Sequence, residues 1–304
     1  MNSLFYSLQG RLSCYLQRFS DLTFKRIINI NDFMKRSTFI RNAGIAGGTI
    51  FISPHFAHLK SSWQDDFPLT DLHVHTTQSH TMEKIMEISA SKKIRFGIVE
   101  NPGALVRDDA SLQAYIDRLR QYPVYIGLQP MSPGWSRSFS PEVIARLDYV
   151  LMDAQTIPSG NGYGDTLRIW NFDTYIDNPD KFMEVYVAHK LEVINNNERL
   201  DIFGWPLFLP VCIARDYYSL WTEERMQKII SAARKRNIAI EINDLARVPH
   251  EKFINMAKEQ GLKFTFGSDT RDIKTGRLDY CKNIAKKCNL RREDFFVPKR
   301  VLNT

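Results

Sequence analysis

Little in this chain points to a disulfide scaffold, a membrane span or a nucleotide fold. Four cysteines are spread over 304 residues. Cys14 lies near the start and Cys212 in an apolar loop. Cys281 and Cys288 fall seven apart on an expected helix (about 275–288), which separates them by about 10.5 Å along its axis, too far to bridge. No disulfide framework follows, and an exported protein does not require one. No apolar run reaches the ~20 residues of a stable membrane span. There is no internal repeat, no low-complexity tract, no sign of a second folded domain and no glycine-rich phosphate fingerprint.

The formal charge of +7 suggests nucleic acid until it is mapped. Residues 1–60 hold eight Lys/Arg against two acids, a net of +6, so the remainder carries only +1. The basicity belongs to a leader, and no nucleic-acid partner is expected. Within it, Met34-Lys35-Arg36-Ser37-Thr38-Phe39-Ile40-Arg41 precedes a small-residue apolar run from Ala43 to Ser53. A charged segment followed by a short apolar one reads as an export signal, here resembling a twin-arginine signal with Ser37 at the second arginine. The expectation is a leader over 1–60, with Met34 as its start and Ala57 a candidate cleavage position, followed by a folded domain over 61–304 in an exported (periplasmic or extracytoplasmic) protein. The other reading of the leader is a helix docked on that domain.

From residue 70 onward, short apolar runs alternate with helical patterns. The expected strands are about 70–75, 94–99, 123–128, 148–152, 200–204, 238–242 and 263–267, and the helices about 81–92, 109–121, 141–147, 180–197, 222–236 and 250–260. Ser140-Pro141-Glu142, Asn178-Pro179-Asp180 and Thr222-Glu223-Glu224 read as helix starts, and Gly261 as a stop. About seven β/α units imply a parallel sheet, closed rather than doubly wound. Polar side chains end almost every strand: His73 and His75, Glu100-Asn101, Gln129, Asp153 to Gln155, Trp205, Glu241 and Asn243, and Asp269 to Arg271. In barrels this rim is where chemistry sits.

Asp71-Leu72-His73-Val74-His75-Thr76 is the sharpest local signal. Residues two apart on a strand share a face, so His73 and His75 present both imidazoles to one point, half of a divalent-metal site. A chance pair on a solvent face is the competing reading. His189 and His250 are read as surface or capping residues. Trp205, Phe208, Tyr217, Tyr218 and Trp221 either wall a pocket or pack loops onto the barrel top.

With these residues in hand, the chain over about 69–272 resembles the PHP (polymerase and histidinol phosphatase) superfamily. The motifs stand as Asp71 to Thr76, Val99-Glu100-Asn101, Gly127-Leu128-Gln129, Asp148 to Leu151 with Gln155, Asp201 to Pro206, Ala239 to Asn243 and Gly267 to Arg271. The resemblance implies a distorted seven-stranded (β/α)7 barrel, TIM-barrel-like, holding up to three divalent metals and hydrolysing phosphoesters. It also implies which ligands this chain has lost. For the first metal His73, His75 and Asp269 match, while Gln129 stands where a bridging Glu should be. For the second, Gln155 and Trp205 replace histidines, and an indole offers no ligating lone pair. For the third, only His80 remains, since Asn101 and Arg271 stand in place of histidines.

One mononuclear site is therefore expected, at His73, His75 and Asp269, suited to zinc, manganese or iron. Glu100, Asp153 or Glu241 would complete the shell or act as general base. Arg271 has three readings: it repels a cation, pairs with Asp269, or holds an anionic group of a small-molecule substrate. The expected function is a metal-dependent hydrolase, a phosphoesterase. The alternative is a catalytically degenerate barrel that binds a small ligand or a protein partner.

Overall fold

The computed structural model describes residues 67–158 and 166–300. The leader, its signal and Ala57 lie outside the described residues. Seven parallel strands close a barrel: β1 (Thr70–Val74), β2 (Arg95–Glu100), β3 (Tyr125–Leu128), β4 (Tyr149–Asp153), β7 (Ile202–Gly204), β8 (Ala239–Asn243) and β9 (Phe264–Gly267), with β9 pairing back onto β1 at Asp71↔Phe266. A two-stranded antiparallel hairpin, β5 (Thr156–Pro158) and β6 (Thr166–Arg168), leaves the rim after β4. The expected seven-stranded β/α barrel is thus the fold. The hairpin was not expected, because two strands of three residues carry no readable alternation.

One residue from each of six strands fills the barrel interior in a single cluster: Leu72, Val99, Tyr125, Tyr149, Leu151, Ile202 and Ala239 (β4 gives two). Tyr149 reaches across it and donates its hydroxyl to the Leu72 carbonyl at 2.7 Å. Its ring occupies the space that a Cβ at Gly97 or Gly127 would need, so both strands must carry glycine there.

Around the barrel lie α1 (Met82–Lys92), α2 (Asp109–Leu119), α3 (Pro141–Ile144), α4 (Pro179–Asn195), α5 (Tyr217–Leu220), α6 (Glu223–Arg236), α7 (Glu251–Glu259) and α8 (Asp279–Lys287). The caps expected at Ser140, Asn178 and Thr222 form, accepting from the backbone N–H of Val143, Lys181 and Arg225. Two expected helices are shorter. The one over 141–147 is a single turn, tightening into i→i+3 bonds at Arg146 and Leu147 because β4 begins at Tyr149. The last helix starts at Asp279, since Gly276 sits in the left-handed region (φ 68°) and interrupts any earlier turn. Among the described residues no helix is long and apolar enough to cross a membrane.

Candidate metal centre

The centre is built where β1 and β9 meet. The register of β1 against β2 shifts between Asp71 and Val74, around His73. Asp71, fully buried, pins the junction: its carboxylate accepts from the backbone N–H of Ser268 and His73 and from the Ser268 hydroxyl. Burial raises its pKa to about 6, against the pull of those bonds. The two histidines do share a face. His73 Nε2 and His75 Nε2 lie 3.3 and 3.7 Å from Asp269 Oδ1, and the ligating atoms of the three residues all fall within 4.8 Å of one another. Both Nε2 atoms are buried and accept or donate no hydrogen bond.

Behind His73 stands Glu241, fully buried. One carboxylate oxygen bonds His73 Nδ1 at 2.7 Å and the other accepts the backbone N–H of Trp205 at 3.0 Å. A Cβ at Gly267 would overlap this carboxylate, so the glycine makes room for it. Glu241 was expected to act as a base or a ligand. Its bond to Nδ1 orients the His73 ring so that Nε2 faces Asp269. Burial alone would lower the His73 pKa. The carboxylates of Asp269 and Glu241 overcome it and raise the value to about 9. His75 moves the other way, well below its usual value, through burial and the charges of Arg271 and His73.

Asp269 is already engaged. Arg271 donates to Oδ1 at 2.9 Å, and the Trp205 indole N–H to Oδ2 at 3.1 Å. Both Asp269 and Trp205 adopt left-handed backbone (φ 46° for each), a strain tolerated where surrounding contacts over-determine it. Trp205, which stands where the resemblance expects a histidine, thus donates to Asp269.

The opposite side of the mouth is filled by amides. Gln129 and Gln155 each donate to Asp153 Oδ2, at 2.9 and 3.0 Å, while Asp153 Oδ1 is buried without a partner. Asn101 donates to the carbonyl and side-chain oxygens of Gln129, and its backbone N–H bonds Glu100. Burial raises the pKa of Asp153 to about 7 and also raises that of Glu100.

The remaining expectations resolve locally. His80 stands outside the trio and bonds Thr275 Oγ1 at 2.8 Å, in a hydroxyl chain running through Thr270 and Ser268 to Asp71. His189 is buried on α4, so its reading as a surface residue does not hold. His250 is at the start of α7 but makes no cap bond with its side chain. The aromatic set splits into packed groups, Trp205 on Phe208, Tyr217 on Tyr218, and Trp221 on Tyr186. Cys281 and Cys288 are free and buried, as their spacing requires. Sequence reasoning missed the Glu241–His73 pair and the donor role of Trp205, because both depend on which strands become neighbours.

No family model and no curated protein matches the sequence. Solved structures do resemble the fold. A histidinol phosphate phosphatase from Lactococcus lactis subsp. lactis Il1403, complexed with zinc, L-histidinol and phosphate, aligns with a TM-score of 0.52 at 18% identity, over 74% of this chain and 95% of its own. An archaeal ribonuclease P with mature tRNA (TM-score 0.37, 11% identity, covering 76% and 96%) and an HpcH/HpaI aldolase from Desulfitobacterium hafniense DCB-2 (0.34, 12%, covering 72% and 94%) are too distant to carry an argument. The likeness to the phosphatase is one of fold, a closed seven-stranded parallel barrel with flanking helices.

Proposed function

We propose that this protein is a metal-dependent hydrolase acting on a small phosphoester, with a single divalent ion held by His73 Nε2, His75 Nε2 and Asp269. The observation that carries this reading is the pair of buried imidazole nitrogens without partners beside a carboxylate oxygen. Buried polar atoms are rarely left unmet unless something else satisfies them. Two imidazoles and a carboxylate fit zinc, and also manganese or iron. Such an ion supplies a water acidified toward neutrality and a Lewis acid for the substrate oxygen.

The chain's own residues supply the rest. Glu241 keeps His73 aimed at the ion's position. Arg271, one-fifth exposed, offers a guanidinium to the substrate's anionic group. Asp153, raised to about 7 by burial, accepts a proton near neutral pH. Glu100 lies at the same rim, within the field of Arg271. The test is elemental mass spectrometry after purification without chelator, together with hydrolysis of a generic aryl phosphate. About one equivalent of metal and metal-dependent turnover are expected.

A second reading has its own observation. The 2.9 Å Arg271–Asp269 pair already satisfies one proposed ligand. A barrel that takes up no zinc, manganese or iron after reconstitution would be a degenerate one, binding a ligand or a protein without turning it over. We also propose export, on the charge and apolar pattern of residues 34–53. N-terminal sequencing from the native host tests it, and an intact leader on cytoplasmic protein would refute it.

A further inference from the structure

One run of polar side chains takes no part in the proposed chemistry and yet ends on the residues that carry it. His80 Nε2 lies 2.8 Å from Thr275 Oγ1, which lies 3.0 Å from Thr270 Oγ1. Thr270 Oγ1 is 2.8 Å from Ser268 Oγ, and Ser268 Oγ is 2.5 Å from Asp71 Oδ2. His80, Thr275, Ser268 and Asp71 are buried, and Thr270 is half-buried. The run joins the segment before α1 to the loop between β9 and α8 without a gap.

The protons give it a direction. Ser268 donates its one hydroxyl proton to the Asp71 carboxylate, so Thr270 donates to Ser268 and Thr275 to Thr270. The Thr275 proton is shared with the Asp272 carbonyl at 2.8 Å, which can only accept. His80 Nε2 is left as the donor at the head. Every bond points toward one carboxylate, an order in which successive hydrogen bonds polarise one another.

The far end surrounds the three proposed ligands. Asp71 Oδ1 accepts the backbone N–H of His73 at 3.2 Å and of Ser268 at 2.9 Å. Asp269 sits between Ser268 and Thr270, and the Thr270 carbonyl accepts the N–H of His75 at 3.1 Å. Asp269 needs this support, because its left-handed backbone (φ 46°) persists in a non-glycine residue only where its surroundings over-determine it. Arg271 lies between Thr270 and Thr275, both of which the run ties down.

We propose that His80 and Thr275 are positioning residues of the metal centre, the head of a one-way donor chain that locks the left-handed turn at Asp269 against β1 and keeps its Oδ1 aimed at the two imidazoles. The proposal rests on the reading of His73, His75 and Asp269 as metal ligands. It gives His80 a role through Thr275 rather than as a ligand. A hydroxyl is required at position 275, and a methyl of the same shape does not suffice.

The experiment measures zinc affinity, by competition with a chromophoric chelator, and the visible spectrum of the cobalt-loaded full chain. Wild type is compared with Thr275→Val, Thr275→Ser and Tyr280→Phe. The last is a control, deleting a hydroxyl that bonds the Pro249 carbonyl at 2.7 Å near the start of α8, outside the chain. Thr275→Val should weaken zinc about tenfold and move the cobalt bands. Thr275→Ser should restore both, and Tyr280→Phe should match wild type. Unchanged affinity and bands in Thr275→Val overturn the proposal, as does failure of Thr275→Ser to restore them. An equal loss in Tyr280→Phe also overturns it, since any broken loop bond would then have the same effect. If Thr275→Val does not fold, His80→Ala removes the head donor and is read in the same way. A wild type that takes up neither metal refutes the metal reading alone. The ring-nitrogen NMR signals of His73 and His75 in the metal-free protein then decide. Thr275→Val shifts them if the chain holds Asp269 beside the rings, and signals left in place overturn the proposal.

Discussion

The two sides of the barrel mouth carry equally polar residues and differ in what those residues leave undone. On the β1/β9 side, His73 Nε2 and His75 Nε2 converge on Asp269 with no hydrogen bond of their own. On the β3/β4 side, Asn101, Gln129, Gln155 and Asp153 bond to one another, and only Asp153 Oδ1 is left over. Amides donate and accept, and here they close a network among themselves, whereas the two imidazole Nε2 atoms beside Asp269 are left without a hydrogen bond. On the proposed reading, the first side is the one open to a metal and the second is closed on itself. Trp205 and Arg271 sit at the seam, each donating to Asp269.

The largest effect should come from His75→Ala. It removes one of the two unmet nitrogens and breaks no hydrogen bond to a carboxylate, so the barrel should stay folded while zinc affinity falls more than 100-fold, read by competition with a chromophoric chelator. His73→Ala is the less clean experiment, because it strands one oxygen of fully buried Glu241, at a cost of about 1–3 kcal/mol. Zinc bound equally well by His75→Ala would remove the distinction between the two sides.

A comparable effect is expected from pH. His73 is held at about 9 in the metal-free protein, and its proton must leave before Nε2 can bind a cation. Zinc affinity should therefore weaken about tenfold for each unit that pH falls below about 9, in titrations held at fixed ionic strength. Glu241→Gln sharpens the same point. A neutral amide neither orients the ring as firmly nor stabilises its charge. Affinity at high pH should drop 10- to 100-fold, and the pH slope should begin at a lower pH. Arg271→His should act in the opposite direction. Removing a guanidinium 2.9 Å from Asp269 frees a ligand oxygen, and zinc affinity should rise about tenfold, or ~1.4 kcal/mol, while any anionic ligand binds more weakly. If affinity is unchanged and Arg271→Ala instead lowers the melting temperature, Arg271 is a structural partner of Asp269 and the degenerate-barrel reading gains.

Much of the barrel was legible because each strand is a short apolar run with a polar terminus, and each helix announces itself with a cap such as Ser140, Asn178 or Thr222. The histidine pair was legible for the same local reason, a period of two on one strand. What could not be read depends on distant parts of the chain. Glu241 lies 168 residues from His73 and Trp205 lies 64 from Asp269, and only barrel closure makes them neighbours. The β5–β6 hairpin is too short to announce itself.

The smallest effect tests the saturated side. Gln155 donates one of two amide hydrogen bonds to Asp153 Oδ2, and Gln129 supplies the other. Gln155→Ala therefore leaves that oxygen bonded and loses one hydrogen bond within a buried network, about 1 kcal/mol of stability in denaturant unfolding. Zinc affinity should stay within a factor of about two, because no proposed ligand is touched and Asp153 remains bound by Gln129. Asp153 loses a donor that favours its ionised form, so its midpoint should move slightly above about 7. A loss of zinc as large as that in His75→Ala would mean that the amide side belongs to the metal site after all. The network around Asp153 would then be a second part of the coordination sphere, and the division between an expectant side and a completed one would have to be abandoned.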